Sequence, residues 1–330
     1  MFRQLSYAVE RWPLHTPFRI ARGTREAIDV VTVELREGDV TGRGEGSITA
    51  RYGESVASVE AQLARIAPDL AARIDRAALR RTMPPGSARN ALDCALWDLD
   101  VRLGRATLPA APRPIATAQT IGIDTPEAMA AAARALRGAA IVKVKVDGDD
   151  PAGRLRAVHA EVPGSRLIVD ANESWTIAQV TDLQPLLAEL GVEFLEQPLP
   201  AAADAALEGF AARVPICADE SCHVAADVAR LARRYAMVNI KLDKTGGLTE
   251  ALDLLAAARA HGMGVMVGCM ISTSLAIAAA LQVALAADCA DLDGPLWLAE
   301  DRPAGVTLGE HGMLHPPAPW FWATPPRVTS

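Results

Sequence analysis

The chain has 330 residues, of which 50% are hydrophobic, 22% charged and only 4% aromatic. At roughly 150 residues per domain that length suggests about two domains, or one barrel with an appendage, and the composition excludes a disordered or collagen-like chain. Lys plus Arg is 33 against 40 for Asp plus Glu, a net charge of −7 without basic blocks, so no nucleic-acid partner is expected.

The five cysteines (Cys94, Cys217, Cys222, Cys269 and Cys289) form no Cys-x-x-Cys pair, and the opening MFRQLSYAVERW lacks an apolar signal core. Both features point to the cytoplasm. Gly262 to Ala287 carries no charge and is long enough to span a bilayer. Its Gly, Ser, Thr and Gln interruptions predict instead a buried strand at Val265 to Val267, a polar loop and an Ala-rich helix from about Ser274, with no membrane partner.

In chain order, Ile28 to Leu35 is rich in β-branched residues and predicts a strand, and Gly42, Gly44 and Gly46 read as a hairpin or tight loop after it. Ser58 to Ile66 and Ala88 to Leu103 have apolar spacing of three and four and predict helices. Pro109, Pro112 and Pro114 mark a junction. Beyond it, short apolar runs alternate with Ala/Leu-rich helical segments: Thr117 to Ile121, AIVKVKV, RLIVDAN, VEFLEQP, PICADES, MVNIKLD, GVMVGC and ADLDGP. Their polar ends recur every 22 to about 27 residues. Close to eight such βα units predict an α/β fold of the (β/α)8 barrel type. An open doubly wound sheet is the alternative, and no Gly-x-Gly-x-x-Gly follows any of the runs.

In a barrel of this type, chemistry belongs at the carboxyl ends of the strands. Asp170, Glu196 and Asp219 end three successive runs. A single such acid is as readily a helix N-cap, but three in one low-dielectric mouth repel unless a cation joins them. An oxygen-only set without a His/Cys cluster suits Mg²⁺, or Mn²⁺, better than zinc. Asn172 and Gln197, beside two of the acids, are expected to orient them. Lys143 and Lys145 share one face of a strand, and Lys241 ends the strand four places on, so a closed barrel sets Lys145 and Lys241 about opposite. Side by side and desolvated, one lysine is expected to be pushed towards a neutral base. Such a pair suits removal of a proton α to a carboxylate on one face and its return on the other, through a metal-stabilised enediolate.

KVKVD, IVDANESW, LEQPL, CADES and NIKLDKTGG together resemble the enolase superfamily, muconate-lactonizing subgroup, over nearly the whole chain. The lysine-plus-Mg²⁺ chemistry of that superfamily is general knowledge. The resemblance implies a (β/α)7β barrel at 113–310, an N-terminal α+β capping domain at 1–112 carrying specificity loops, and a C-terminal segment at 311–330 returning to the cap. Within the subgroup, dipeptide epimerases differ by an Asp-x-Asp on the last strand, and DLDGP supplies Asp291 and Asp293 to hold an α-ammonium. TPFRIARGTREA, RYGES and ARNALDCALWDL are similar to L-Ala-D/L-Glu epimerases, which act in murein peptide recycling. That similarity implies Arg25, or else Arg22, on the substrate's side-chain carboxylate, Lys143 and Thr117 on the bound carboxylate, and Tyr52 in a loop over the site. It also implies Met270 and Ser272 along the acyl side, Lys145 serving the D centre and Lys241 the L centre.

The expected function is therefore a Mg²⁺-dependent dipeptide epimerase acting on a small-molecule substrate such as L-Ala-L-Glu. The alternatives are another side-chain preference, an N-acylamino acid racemase or o-succinylbenzoate synthase, and, from another class, a non-catalytic barrel that binds peptides. Whether the chain forms a homo-oligomer is not readable from it.

Overall fold

The computed structural model describes residues 2–20 and 23–325. Its N-terminal part is a three-stranded antiparallel sheet of β1 (Gln4–Ile20), β2 (Gly23–Glu37) and β3 (Val40–Ser47). Helices α1 (Val56–Ala71), α2 (Arg76–Thr82) and α3 (Ser87–Arg102) follow and bury Val31, Val33, Leu35, Leu63, Leu92 and Leu96 in a core of their own. Helix α1 starts where Ser55 and Ser58 cap each other reciprocally, satisfying N–H groups that a first turn leaves open.

Gly42, Gly44 and Gly46 do not form the loop that their spacing suggests: they lie within β3, and the turn falls at Gly38–Asp39. A Cβ on Gly44 would sit 2.1 Å from Ala91 O and 2.6 Å from Ala95 N. The alternate glycines thus form a bare stripe on which the backbone of α3 rests.

The second part holds an eight-stranded parallel sheet: β4 (Ala118–Ile121), β5 (Ile141–Lys145), β6 (Arg166–Asp170), β7 (Val192–Glu196), β8 (Ile216–Ala218), β9 (Met237–Ile240), β10 (Gly264–Gly268) and β11 (Cys289–Asp291), neighbours in chain order. Its edge strands β4 and β11 lie against each other. Side chains join that seam: Leu292 N donates to Thr117 Oγ1 at 2.8 Å, and Thr120 N to Asp293 Oδ2 at 2.9 Å. The connections include α4 (Pro126–Ala135), α5 (Pro151–His159), α6 (Ile177–Glu189), α7 (Val228–Leu231), α8 (Leu242–Thr245), α9 (Leu248–Ala260) and α10 (Ser274–Ala284). The uncharged stretch resolves into β10 and α10, and no helix among the described residues is long and apolar enough to cross a membrane.

Strand periodicity of two sorts the barrel interior. Ala118, Ile141, Ile168, Phe194, Cys217, Met266 and Cys289 form an apolar layer inside. One pleat further on, the inward positions become Lys143, Asp170, Glu196, Asp219 and Asp291. The apolar layer seals the barrel and the charged layer faces its carboxyl mouth.

The first part rests on that end of the barrel. Ser47 N and Asn90 Nδ2 both donate to Asp243 Oδ1, at 2.9 and 2.8 Å. Arg302 donates to Glu10 (2.6 Å), Thr32 (2.8 Å) and Glu45 (3.0 Å), and Glu45 also accepts from Thr273 N at the start of α10. The C-terminal segment contributes Trp322 Nε1, which donates to Arg43 O at 2.9 Å.

Two outcomes follow from this packing. Gly44→Ala drives a methyl into backbone that cannot yield, and should lower stability by about 1–3 kcal/mol or more; an unchanged thermal midpoint would contradict the packing. Burial raises the Asp243 carboxyl to about 7, with Glu54 and Glu45 adding to it against the hydrogen bonds from Ser47 and Asn90. An unfolded Asp titrates near 3.9, so the folded chain binds the extra proton and loses stability as pH rises from about 4 to about 7. Asp243→Asn keeps an oxygen for both donors and removes the charge. Its midpoint at pH 8 should exceed that of wild type by about 2–4 °C per kcal/mol relieved, and the gain should vanish near pH 4. A pH-independent difference would contradict this assignment.

Candidate active site

The register of the barrel places Lys145, Asp170 and Glu196 in one row across β5, β6 and β7, and Glu196 pairs in turn with Cys217 of β8. Asp219 follows β8 directly, and Lys241 follows β9. The row is knitted by ion pairs. Lys143 Nζ lies 2.6 Å from Glu196 Oε2, 2.7 Å from Asp291 Oδ2 and 3.1 Å from Asp170 Oδ2. Lys145 Nζ lies 2.5 Å from Asp170 Oδ2, and Lys241 Nζ lies 2.8 Å from Asp219 Oδ2.

The electrostatics follow from burial set against these pairs. Burial opposes ionisation of Asp170, but Lys145 and Lys143 outweigh it and hold the carboxyl below its usual range. For Asp219 the same burial is outweighed by Lys241 and Lys244. Glu196 is raised to about 7, by burial and then by the Asp170 charge. Lys143 is not the lysine pushed towards a neutral base. Burial disfavours the Lys143 ammonium, yet Asp291, Glu196 and Asp170 hold it charged far above its ordinary range, and Asp219 does the same for Lys241. Carboxylates at contact distance outweigh repulsion between neighbouring ammonium groups.

The residues beside the acids have distinct positions. Asn172, in a left-handed conformation (φ 44°), donates its N–H to Asp170 Oδ1 at 2.8 Å. Gln197 Oε1 accepts from Asp219 N at 2.8 Å and Ser221 N at 3.1 Å, while its Nε2 donates to Leu199 O, Ser221 Oγ and Tyr235 Oη.

Two residues of the charged layer escaped the sequence reading. Asn239, one pleat before Lys241, donates to Glu196 Oε1 at 2.7 Å. Lys244 is buried with its Nζ 2.7 Å from Asp219 Oδ1 and donates to the carbonyls of Asp219 and Asn239. Strand periodicity could have found the first, and the KLDK spacing, one helical turn beyond Lys241, the second. Gly268 makes room for this group, since a Cβ there would meet the Asn239 amide at 2.8 Å and Lys241 Cε at 3.1 Å.

Above the charged layer opens a cavity of about 440 Å³. Lys143, Lys145, Asn172, Asp219, Lys241, Met270, Asp291 and Asp293 line it from the barrel, and Phe18, Ile20, Arg25, Arg51 and Tyr52 from the N-terminal part. Tyr52 stacks edge-on against His223 at 5.0 Å, and Arg51 grips Glu173 with two nitrogens, at 2.7 and 2.9 Å. Asp293 is raised to about 6 by burial and by Asp291. Not every expected residue faces this space. Thr117 sits in the barrel seam and Thr120 takes the lining position. Ser272 is buried and outside the lining, and Arg22 lies outside the described residues.

The acid set suits a hard cation in its chemistry: three buried carboxylates on adjacent strands, oxygen donors only. As the side chains stand, no three His, Cys, Asp or Glu groups among the described residues enclose one ion, and Lys143 Nζ fills the space between Asp170 and Glu196. Glu196 Oε2 and Asp219 Oδ1 accept no well-directed hydrogen bond, and each is met only by an ammonium group, Lys143 at 2.6 Å and Lys244 at 2.7 Å, whose place a cation can take.

Comparison with known proteins agrees with this architecture. Residues 3–109 match the mandelate racemase/muconate lactonizing enzyme N-terminal domain, and residues 127–318 the enolase C-terminal domain-like family. The chain is 52% identical to the L-Ala-D/L-Glu epimerase of Escherichia coli K12, over 91% of this chain and 97% of that one. It is 40% identical to an N-acetyl-D-glutamate racemase of a Pseudoalteromonas species, over 89% and 95%. An enolase family member from Agrobacterium tumefaciens with homology to dipeptide epimerases, solved with sodium and L-Ala-L-Glu, superposes with a TM-score of 0.94 at 45% identity, covering 97% of this chain and 99% of that one. Other similar dipeptide epimerases are solved with Mg and a dipeptide. By this kinship the protein is an isomerase of the dipeptide epimerase type, and it belongs to the enolase superfamily, with the two-domain build of the mandelate racemase/muconate lactonizing enzymes.

Proposed function

We propose that the enzyme inverts the α-carbon of the C-terminal residue of a dipeptide, L-Ala-L-Glu to L-Ala-D-Glu and back, by proton transfer between two lysines. The observation that carries this reading is the placement of Lys145 and Lys241. Their strands are four apart in an eight-stranded barrel, so the two ammonium groups approach the cavity from opposite sides across Asp170, Glu196 and Asp219.

In this reading Asp170, Glu196 and Asp219 hold Mg²⁺. Bound there, the ion would supply positive charge to the substrate carboxylate and would engage the acids that Lys145 and Lys241 otherwise contact. Lys143 binds and orients the same carboxylate. Lys145 takes the α-proton of the D centre and Lys241 that of the L centre, and whichever did not take it returns one to the opposite face. Asn172 and Gln197 keep the acids in place. Asp291 and Asp293 hold the α-ammonium of the first residue, a group that an N-acylated amino acid does not have. Arg25 meets the glutamate side chain, and Tyr52 and Met270 close the walls. The N-terminal domain (1–112) thus selects the substrate, the barrel (113–310) performs the chemistry, and the segment from 311 on ties the two. An L-Ala-D/L-Glu substrate places the reaction in the cytoplasmic recycling of murein peptides.

The test is α-deuterium incorporation from D₂O with Mg²⁺ and each epimer of the dipeptide. Wild type should exchange both. Lys145→Ala and Lys241→Ala should each lose epimerisation by about 10²–10⁴-fold. The first should still exchange the L,L epimer and the second the L,D epimer. Full epimerisation in either variant would refute the two-lysine mechanism. Exchange with N-acetylglutamate in preference to any dipeptide would favour the N-acylamino acid racemase reading.

A further inference from the structure

The cavity wall beside Asp293 includes the indole of Trp297. The turn Gly294–Trp297 begins two residues after β11 and brings Trp297 Nε1 to 3.4 Å from Asp293 Oδ2. The ring is fixed from the other side by the hairpin of the N-terminal part: Phe18 meets it edge-on at 4.4 Å and His15 stacks on it at 5.9 Å. The backbone behind is pinned as well. A ring nitrogen of His15 pairs with Leu296 O at 2.9 Å, Leu14 bridges to Leu298, and Ala299 N donates to Pro13 O at 2.9 Å.

Trp297 also borders a second hollow, about 460 Å³, between the same hairpin and α4, whose walls include Pro17, Ile121, Ala128 and Met129 together with Arg19 and Asp124. Trp297 therefore stands between the substrate cavity and a second space of similar size with mixed polar and apolar walls.

We propose that Trp297 is a specificity-determining residue that restricts the N-terminal residue of the dipeptide to a side chain about the size of alanine's. The inference rests on the reading of Asp291 and Asp293 as the ammonium site. An ammonium held on Asp293 has its α-carbon one bond away and its first side-chain carbon two bonds away. A methyl group fits there, whereas a longer branch aimed at this wall runs into a ring that the hairpin keeps from turning aside. Shortening the ring joins the hollow to the cavity and gives a larger apolar side chain somewhere to go.

The experiment compares kcat/KM for α-deuterium exchange on L-Ala-L-Glu and L-Leu-L-Glu in wild type, Trp297→Ala and Trp297→Phe. The ratio of the two substrates is internal to each preparation, so partial misfolding of a variant cancels. Wild type should favour L-Ala-L-Glu. Trp297→Ala should raise the Leu-to-Ala ratio by roughly tenfold or more. Trp297→Phe, which keeps an aromatic face for Phe18, should shift the ratio the same way by less. An unchanged ratio in both variants, or equal use of the two dipeptides by wild type, would overturn the assignment of Trp297 while leaving the epimerase reading intact. Absence of exchange with any dipeptide in wild type would instead defeat the epimerase reading, and this inference with it.

Discussion

Everything at the barrel mouth depends on one constraint, the mutual neutralisation of buried charge. Asp170, Glu196, Asp219, Asp291 and Asp293 are all buried, and so are Lys143, Lys145, Lys241 and Lys244. Any one of them alone would be prohibitive to desolvate, and removing one partner from such a set leaves an uncompensated charge. The register answers this by putting acids and lysines on adjacent strands at the same height, so that Lys143 touches carboxylates from three different strands. The five acids face four lysines, so the set is short of positive charge, and burial with the Asp170 charge raises Glu196 to about 7. In the proposed mechanism that deficit is what a divalent cation fills, freeing lysines for proton transfer.

The N-terminal part is fixed to this mouth by polar contacts as well as apolar ones, since Cys94 and Val101 of α3 join the core of the barrel and Ile28 and Val30 meet Leu298. Asp243, one residue past Leu242, bonds Ser47 and Asn90, and Glu45 reaches across to Thr273 and Arg302. The loops that line the cavity therefore branch from elements anchored within a few residues of the lysines. Such an arrangement allows the walls to change with substrate while the charged layer stays the same.

Much of this was legible in the sequence because the barrel strands obey a period of two. In IVKVK, RLIVD and VEFLE the apolar inward residue is followed two places later by a charge, and that switch marks the strand end. Where the physical cause was not local, the sequence misled. The glycines of β3 read as a turn because nothing in their own segment shows that α3 will lie on them. The long strand β1 went unseen, since most of its residues are exposed and only pairing with β2 makes it a strand. The charge state of Lys143 depends on acids 27 to 148 positions away in the chain. Trp297 lay hidden in a turn, where no periodicity singles out a residue.

A crystal structure of the protein with Mg²⁺ and L-Ala-D-Glu tests the central claim most directly, because the two lysines must address opposite faces of one carbon. The account predicts the ion on Asp170, Glu196 and Asp219, the ammonium on Asp291 and Asp293, and the glutamate α-carbon between Lys145 Nζ and Lys241 Nζ. An α-carbon with both lysines on the same face, or with either out of reach, would contradict it.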